Sequence, residues 1–160
     1  MKYLITLLFA FSAVCSFSQS KSFVTLKEKF AETEDVTSVR VSSFVIRTVL
    51  WLSGDDDMRK EFENVRSIRI MTIPQREFAH RKVSAKGFKK VLAGDKFEEI
   101  TSVRDQKDLV TVYLQEHSED VNLYFLLIEN NDEVTAVEIK GHLDPRKLIE
   151  SHNKEKFTSL

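Results

Sequence analysis

The chain is poor in cysteine, proline and glycine, and it carries almost no net charge. It has one cysteine, two prolines and four glycines in 160 residues, with a formal net charge of −1. The single cysteine, Cys15, lies in an apolar N-terminal segment. The rest of the chain has no cysteine and therefore cannot form disulfides, use a thiol in catalysis or bind a metal through cysteine. Sparse proline and glycine indicate one domain without a linker. With this balanced charge, the molecule as a whole does not have the excess positive charge of a polyanion-binding protein.

The first eighteen residues have the pattern of a cleavable secretory signal peptide. Lys2 supplies the positive start, and residues 4–14 form an apolar stretch of suitable length. Small residues at Ser16 and Ser18 predict cleavage after Ser18, with cleavage after Ser20 as an alternative. The apolar stretch is shorter than the roughly 20 residues that cross a bilayer, so no transmembrane segment is expected in the mature chain.

A lipid anchor on Cys15 is a less favoured alternative. Lipidation requires a small residue directly before the cysteine and an aliphatic residue three positions before it. Val14 and Ser12 occupy those positions in this sequence. The predicted location is therefore exported, either periplasmic or secreted, and a lipoprotein is the weaker reading.

Residues 19–160 are predicted to form a single α+β domain. With 42% hydrophobic residues and 12 phenylalanines, a chain of this length can bury about 70% of its unfolded surface. Apolar spacing predicts helices at residues 22–33, 42–52, 58–63, 77–93 and from Asp144 onward. Alternating or β-branched segments predict strands at residues 36–41, 65–73, 97–103, 109–116, 121–129 and 134–140.

The last four strands are separated by short polar turns, which predict an antiparallel meander. The predicted fold class is α+β, with an antiparallel-rich sheet, a C-terminal four-strand meander and helices mainly on one face. Residues 121–128 are apolar on both faces, which predicts a central strand. The helix at 42–52 is apolar on most sides, so it is expected to be largely buried or to cover another surface. Gly94 is predicted to be a left-handed helix cap.

No pattern for catalysis, a cofactor or a metal is present, and the chain is predicted not to be an enzyme. Gly87 and Gly94 are too far apart for a phosphate-binding loop, and no serine stands in Gly-x-Ser-x-Gly. Asp55–Asp57 fits helix capping better than calcium binding. The histidines lack metal-site spacing and are predicted to be surface residues: His80, His117, His142 and His152.

The charge pattern is uneven in one region. Residues 76–96 contain seven basic and two acidic residues. Lys82, Lys86 and Lys90 are spaced four apart with Lys89 beside them, which predicts a basic helix face. This face is a candidate for binding an acidic envelope protein, anionic lipid headgroups or an envelope polymer, and an ordinary solvated face is the alternative. Nucleic acid is not expected as a partner, because export removes the chain from the cytoplasm.

Four stretches carry a resemblance to a known family: residues 29–42, 65–72, 123–128 and 134–144. They are similar to exported proteins of Bacteroidota grouped as domain-of-unknown-function family 4252. The resemblance implies an envelope protein of a Gram-negative bacterium and supplies no catalytic residues. Many members look like lipoproteins, a pattern from which Cys15 departs. Relatives encoded near extracytoplasmic sigma-factor genes imply a link to envelope signalling.

Three functional hypotheses follow. The first is a non-enzymatic exported interaction or sensory module that works through a sheet face or the basic helix. The alternative is a small-molecule or lipid carrier with an apolar cavity between residues 44–52 and the sheet. A hydrolase is the weakest, because it would need a convergent histidine–carboxylate pair in a cleft.

Overall fold

The computed structural model describes residues 20–54, 56–105, 107–118 and 121–143. The predicted signal peptide with Cys15 and the predicted helix from Asp144 lie outside these residues. The described helices are α1 (Lys21–Phe30), α2 (Ser43–Ser53), α3 (Asp56–Phe62), α4 (Gln75–His80) and α5 (Ala85–Gly94). The strands are β1 (Thr37–Ser42), β2 (Val65–Pro74), β3 (Glu98–Asp105), β4 (Asp108–Ser118), β5 (Val121–Glu129) and β6 (Glu133–Gly141).

The six strands form one open sheet in the order β1-β2-β6-β5-β4-β3, and every neighbouring pair is antiparallel. The α+β fold class is therefore confirmed. Strands β3 to β6 are the predicted meander, and β5 lies inside the sheet between β4 and β6. None of the helices in the described part of the chain is long and apolar enough to cross a membrane.

One face of the sheet, which we call the α1 face, is covered by α1, α4 and α5. Alternate residues of β5 point toward these helices. The core between the helices and the sheet is rich in phenylalanine. Phe125 is fully buried, and its ring centroid lies 6.3 Å from Phe23, 5.6 Å from Phe88 and 5.8 Å from Phe97. This cluster joins α1 and α5 to the centre of the sheet.

The opposite face, which we call the α2 face, is covered by α2 and α3 over only part of its area. Ile46 and Leu50 of α2 pack against Tyr124, Ile139 and Leu143. The Tyr124 hydroxyl donates to the Leu143 carbonyl at 2.7 Å and accepts from the Leu143 N–H at 3.2 Å. These bonds hold Leu143, which follows the end of β6, on the α2 face.

The prediction of a single helix over residues 77–93 was wrong, because two helices occupy this region. A turn separates α4 from α5, and in it Lys82 has a left-handed backbone with φ 53°. Ser84 then caps α5 by accepting from the Gly87 N–H at 3.0 Å. The prediction for Gly94 was also wrong: Gly94 belongs to α5, and the left-handed residue is Lys96, with φ 63°.

The start of α1 is held by a buried ion pair that sequence analysis did not predict. Arg69 on β2 and Glu138 on β6 are cross-strand neighbours, 3% and 2% exposed, with Nη1 and Oε1 2.6 Å apart. The Ser20 hydroxyl and the Ser20 N–H, the latter at 3.1 Å, both donate to the other oxygen of Glu138. The Ser20 hydroxyl also accepts from the Phe23 N–H, which caps α1.

Candidate functional site

Helices α1 and α5 run in opposite directions across the α1 face and are tied at both ends. At one end the Ser22 N–H and hydroxyl donate to the Asp95 carboxylate at 2.7 and 2.9 Å. At the other end Arg81 Nη2 donates to the Thr33 hydroxyl at 3.2 Å. These contacts fix the spacing between the two helices and leave an open slot near the start of α5.

The slot has an apolar lining and a basic opening. Its volume is about 160 Å³. The apolar lining comes from both helices and from the turn before α5: Leu26, Val83, Phe88 and Val91. Lys29 and Lys82 also line the slot, and both are exposed. Gly87 has no side chain, so the α5 side of the slot stays open. We call this feature the α1–α5 slot.

Lys82 is held at the slot by a backbone conformation that lysine rarely adopts. A left-handed conformation costs a non-glycine residue on the order of 1 kcal/mol and persists only where the surroundings enforce it. Here the Lys82 N–H donates to the Ala79 carbonyl and the Val83 N–H donates to the Phe78 carbonyl, both at 3.0 Å. These two bonds are the usual left-handed cap at the end of a helix, and the same pattern occurs at Lys96 after α5. The cap of α4 therefore fixes the backbone position of Lys82 at the slot.

The four lysines predicted to form one basic helix face are divided by the structure. Lys86 and Lys90 lie one turn apart on α5 and are exposed. Lys82 precedes the helix and lines the slot instead. Lys89 is half-buried and faces β3, with its Nζ 3.9 Å from a Glu99 carboxylate oxygen. Of the four lysines, only Lys82 lines the slot, Lys86 and Lys90 are exposed on α5 outside its lining, and Lys89 pairs with the sheet.

Sequence reasoning missed Lys29, which joins the basic opening from a different helix. Lys29 lies in the last turn of α1, where a basic side chain complements the helix dipole. That local role was the only signal available, because nothing in the sequence relates Lys29 to Lys82. The convergence of the two lysines depends on how α1 and α5 pack.

Two ionisable groups lie on the α1 face outside the slot. Burial raises the pKa of the Tyr113 phenol, and the negative charge of Glu99 raises it further. Burial also raises the pKa of the Glu129 carboxyl, although the charges of Lys89 and Arg104 act in the opposite direction. Neither group lines the slot. The slot itself presents ammonium groups, hydroxyls and apolar surface, which is chemistry suited to binding.

The surroundings of α2 are polar at one end and apolar along its outer side. An open cleft of about 640 Å³ is lined by Arg47, Glu63, Arg66 and His142, among others. On the outer side Phe44, Trp51 and Leu52 are 77%, 72% and 71% exposed. Of the two expectations for this helix, extensive burial is wrong, since only Ile46 and Leu50 are buried, and the alternative holds, since these two residues cover part of the sheet.

The residues considered for metal binding are dispersed. His80, His117 and His142 are exposed, and His152 and Asp55 lie outside the described residues. Asp56 pairs with Arg59 within α3. Across the described ranges there is no group of three or more histidine, aspartate or glutamate side chains that could hold a metal ion.

The geometry defines a class of protein: a small α+β domain with one open antiparallel sheet and a basic slot between two helices. Residues 29–150 match the family described as domain of unknown function DUF4252, which covers more than half of the chain. The chain belongs to this family, as its resemblance predicted. No curated protein and no solved structure matches the chain.

Proposed function

We propose that this protein is a non-enzymatic, exported interaction module that binds an acidic peptide segment of an envelope partner in the α1–α5 slot. The observation that carries the proposal is the joint presence of an apolar slot and a lysine opening. A partner segment would place one large apolar side chain in the slot. Its aspartate or glutamate neighbours would then lie against the lysines.

The size of the slot supports a single apolar anchor. Its volume of about 160 Å³ is close to that of an engineered apolar cavity of about 150 Å³ that binds benzene. One phenylalanine or leucine side chain is therefore the appropriate occupant. Binding sites of this kind derive most of their affinity from a few anchor residues in well-packed pockets.

The charges around the slot support an acidic partner. Lys29 and Lys82 line the opening, and Lys86 and Lys90 are exposed on α5 outside the lining, where they add to the positive charge of this helix. Helix α5 contains no acidic residue that would compensate them. Each exposed ion pair contributes only about 0.2–1 kcal/mol, so several lysines acting together are needed for measurable selectivity.

The first test uses a synthetic peptide, Glu-Glu-Phe-Glu-Glu, with a fluorescent label. We expect fluorescence anisotropy to report binding that weakens as salt rises, because salt screens exposed charges. Two reference peptides separate the contributions: one replaces phenylalanine with alanine, and the other replaces every glutamate with lysine. Both should bind at least about tenfold more weakly, the loss that corresponds to 1.4 kcal/mol.

Matched variants locate the site. Lys29→Glu combined with Lys82→Glu should weaken binding at least about tenfold, since two attractions become repulsions. Gly87→Leu should also weaken it by filling the slot, and because its Cβ would lie 3.1 Å from the Ser84 hydroxyl that caps α5, circular dichroism checks that the helix is retained. Lys107→Glu is the control, because Lys107 is exposed in the β3–β4 turn and does not line the slot. Equal losses in the control and the slot variants would contradict the proposal.

The carrier alternative receives less support from the geometry. The apolar contacts between α2 and the sheet are made by packed side chains such as Ile46, Leu50 and Tyr124. The opening beside α2 is lined mostly by polar and charged residues. A lipid carrier needs a mostly apolar cavity with a few placed polar groups. The geometry therefore favours the interaction module over the carrier.

Export is part of the same proposal, and Ser20 supports the predicted cleavage after Ser18. Ser20 is buried, caps α1 and donates two hydrogen bonds to Glu138. Cleavage after Ser20 would remove this cap and leave a buried carboxylate with fewer donors, which is costly. The mature chain is therefore expected to begin at Gln19.

Expression of the full-length precursor in a Gram-negative host tests the cleavage site. Intact-mass measurement of the periplasmic fraction should give a chain that begins at Gln19. A bulky Ser18→Leu substitution should retain the precursor, since the peptidase requires a small residue there. A chain that begins at Lys21, an uncleaved chain, or a lipidated Cys15 would each contradict the prediction.

A further inference from the structure

Helix α2 has two apolar faces on opposite sides, and the sheet covers only one of them. Ile46 and Leu50 are buried against the sheet. With 3.6 residues per turn, Phe44, Trp51 and Leu52 fall on the opposite side, where they are more than 70% exposed. Trp51 is the single tryptophan of the chain, and aromatic residues at this exposure are typical of interface anchors.

The exposed face is apolar at both ends and has one polar residue at its centre. Its central residue is Thr48, whose hydroxyl donates to the Phe44 carbonyl at 2.9 Å. The hydroxyl is thus satisfied inside its own helix, as threonine hydroxyls in helices often are. The helix contains no acidic residue, and Arg47 is its one charged side chain. We call this stripe of Phe44, Val45, Thr48, Trp51 and Leu52 the α2 stripe.

The α2 stripe is symmetric about Thr48. Phe44 and Leu52 lie four residues before and after Thr48, while Val45 and Trp51 lie three residues before and after it. A helix of this pattern is complementary to an antiparallel copy of itself. A two-fold axis at Thr48 would place each large side chain of one helix opposite a large side chain of the other, and the small central residue would allow close approach.

The exposed area is in the upper part of the range that monomers present, where such patches are often functional. Two aromatic side chains at three-quarters exposure, with Leu52 and the half-exposed Val45 and Val49, present roughly 500 Å² of apolar surface. The largest apolar patch on a typical monomer is about 300–600 Å² and is often functional. A stable interface buries about 800 Å² on each partner, so the stripe supplies most of one.

We infer that two copies of this chain pair through the α2 stripe, with the helices antiparallel about a two-fold axis at Thr48. A lipid surface fits less well, because three aspartates at residues 55–57 follow the helix directly and anionic headgroups would repel them. The inference rests on α2 alone and does not depend on the proposed function of the α1–α5 slot. The slot lies on the opposite face of the sheet and stays open in the dimer.

The oligomeric state of the full mature chain is the first measurement. Light scattering after size-exclusion chromatography should give twice the chain mass at micromolar concentration. Thr48→Arg and Trp51→Ser should each give the monomer mass with an unchanged circular dichroism spectrum, because both residues are exposed. Ile100→Ser is the control, since Ile100 is an exposed apolar residue on β3 at the far edge of the sheet.

Cysteine cross-linking tests the register, because the chain after residue 18 has no cysteine of its own. Thr48→Cys lies at the proposed axis and should form a disulfide dimer under mild oxidation. Phe44→Cys should cross-link far less, because it faces the partner's Leu52. A monomeric wild-type chain at 100 µM, or equal cross-linking of both variants, would overturn the inference. A chain that dimerises only after removal of residues 144–160 would also overturn it, because that segment would then be the occupant.

Discussion

Glu138→Gln should lower the free energy of unfolding by about 3 kcal/mol, since breaking a buried ion pair from one side typically costs 3–5 kcal/mol. Arg69 is 3% exposed, and its charge is balanced by Glu138 at 2.6 Å. Desolvation lowers the pKa of Arg69, and the charge of Glu138 opposes this by raising it. Without the Glu138 carboxylate, the Arg69 guanidinium would stay buried and charged but would lose the negative charge that balances it. Urea unfolding followed by circular dichroism measures the effect.

A double variant separates the charge from the packing. Arg69→Met combined with Glu138→Leu replaces the ion pair with apolar side chains of similar size. Such replacements are often neutral or stabilising, so we expect the double variant to recover most of the lost stability. If the double variant is as unstable as Glu138→Gln, then lost packing or the lost Ser20 hydrogen bonds, and not the uncompensated charge, explain the destabilisation.

Gly141→Ala should destabilise the chain by about 3 kcal/mol or more, at the upper end of single-residue effects. A Cβ at this position would lie 2.8 Å from the Val65 Cα and closer still to the Asn64 carbonyl oxygen. Both neighbours are backbone atoms, so no side-chain rotation relieves the clash. Gly141 also has φ 155°, a conformation that alanine rarely adopts.

The position of Gly141 in the sheet prevents a simple shift of the strand. It is the last residue of β6 and pairs with Val65 on one side and Asn122 on the other. Gly94→Ala is the matched control, because a Cβ there meets nothing within 4 Å and the residue is helical. That control should stabilise the chain by roughly 0.5–1 kcal/mol. Equal stability of the wild type and Gly141→Ala in thermal unfolding would contradict the account.

The two proposed surfaces can be occupied at the same time. The α1–α5 slot and the α2 stripe lie on opposite faces of one sheet. A dimer formed through α2 would therefore present two slots, each free to bind an acidic segment. Two linked sites raise the overall affinity for a partner that carries two segments, because the second binding step becomes intramolecular. Comparing a peptide with two acidic segments against one with a single segment would measure this gain.

Much of the fold could be predicted from local patterns. The alternation in β2 and the polar turns between β3 and β6 were sufficient to predict strands and a meander, because both signals are local. The split of the 77–93 helix was not predictable in the same way. Phe78 and Phe88 fit one continuous apolar stripe, and the break at Lys82 is imposed by hydrogen bonds to α4 and by packing against α1.

The candidate site was predicted only in part. Of the four lysines predicted from their spacing, only Lys82 lines the slot, and Lys29 and the apolar lining were not predicted. The buried pair of Arg69 and Glu138 was also missed. In each case the partners are distant in the sequence, and isolated charged residues are normally expected at the surface. Only the strand register and the helix packing bring these groups together.

The sequence by itself determined the element types, the absence of cysteine after Cys15 and the family. The tertiary structure decided which surfaces remain open. Helix α2 shows the reason most clearly, because both of its faces are apolar and its sequence gives no preference between them. A sheet can cover only one side of a helix, so burial of Ile46 and Leu50 leaves Phe44, Trp51 and Leu52 exposed. That choice depends on the position of α2 over β2, β5 and β6, which only the assembled sheet defines.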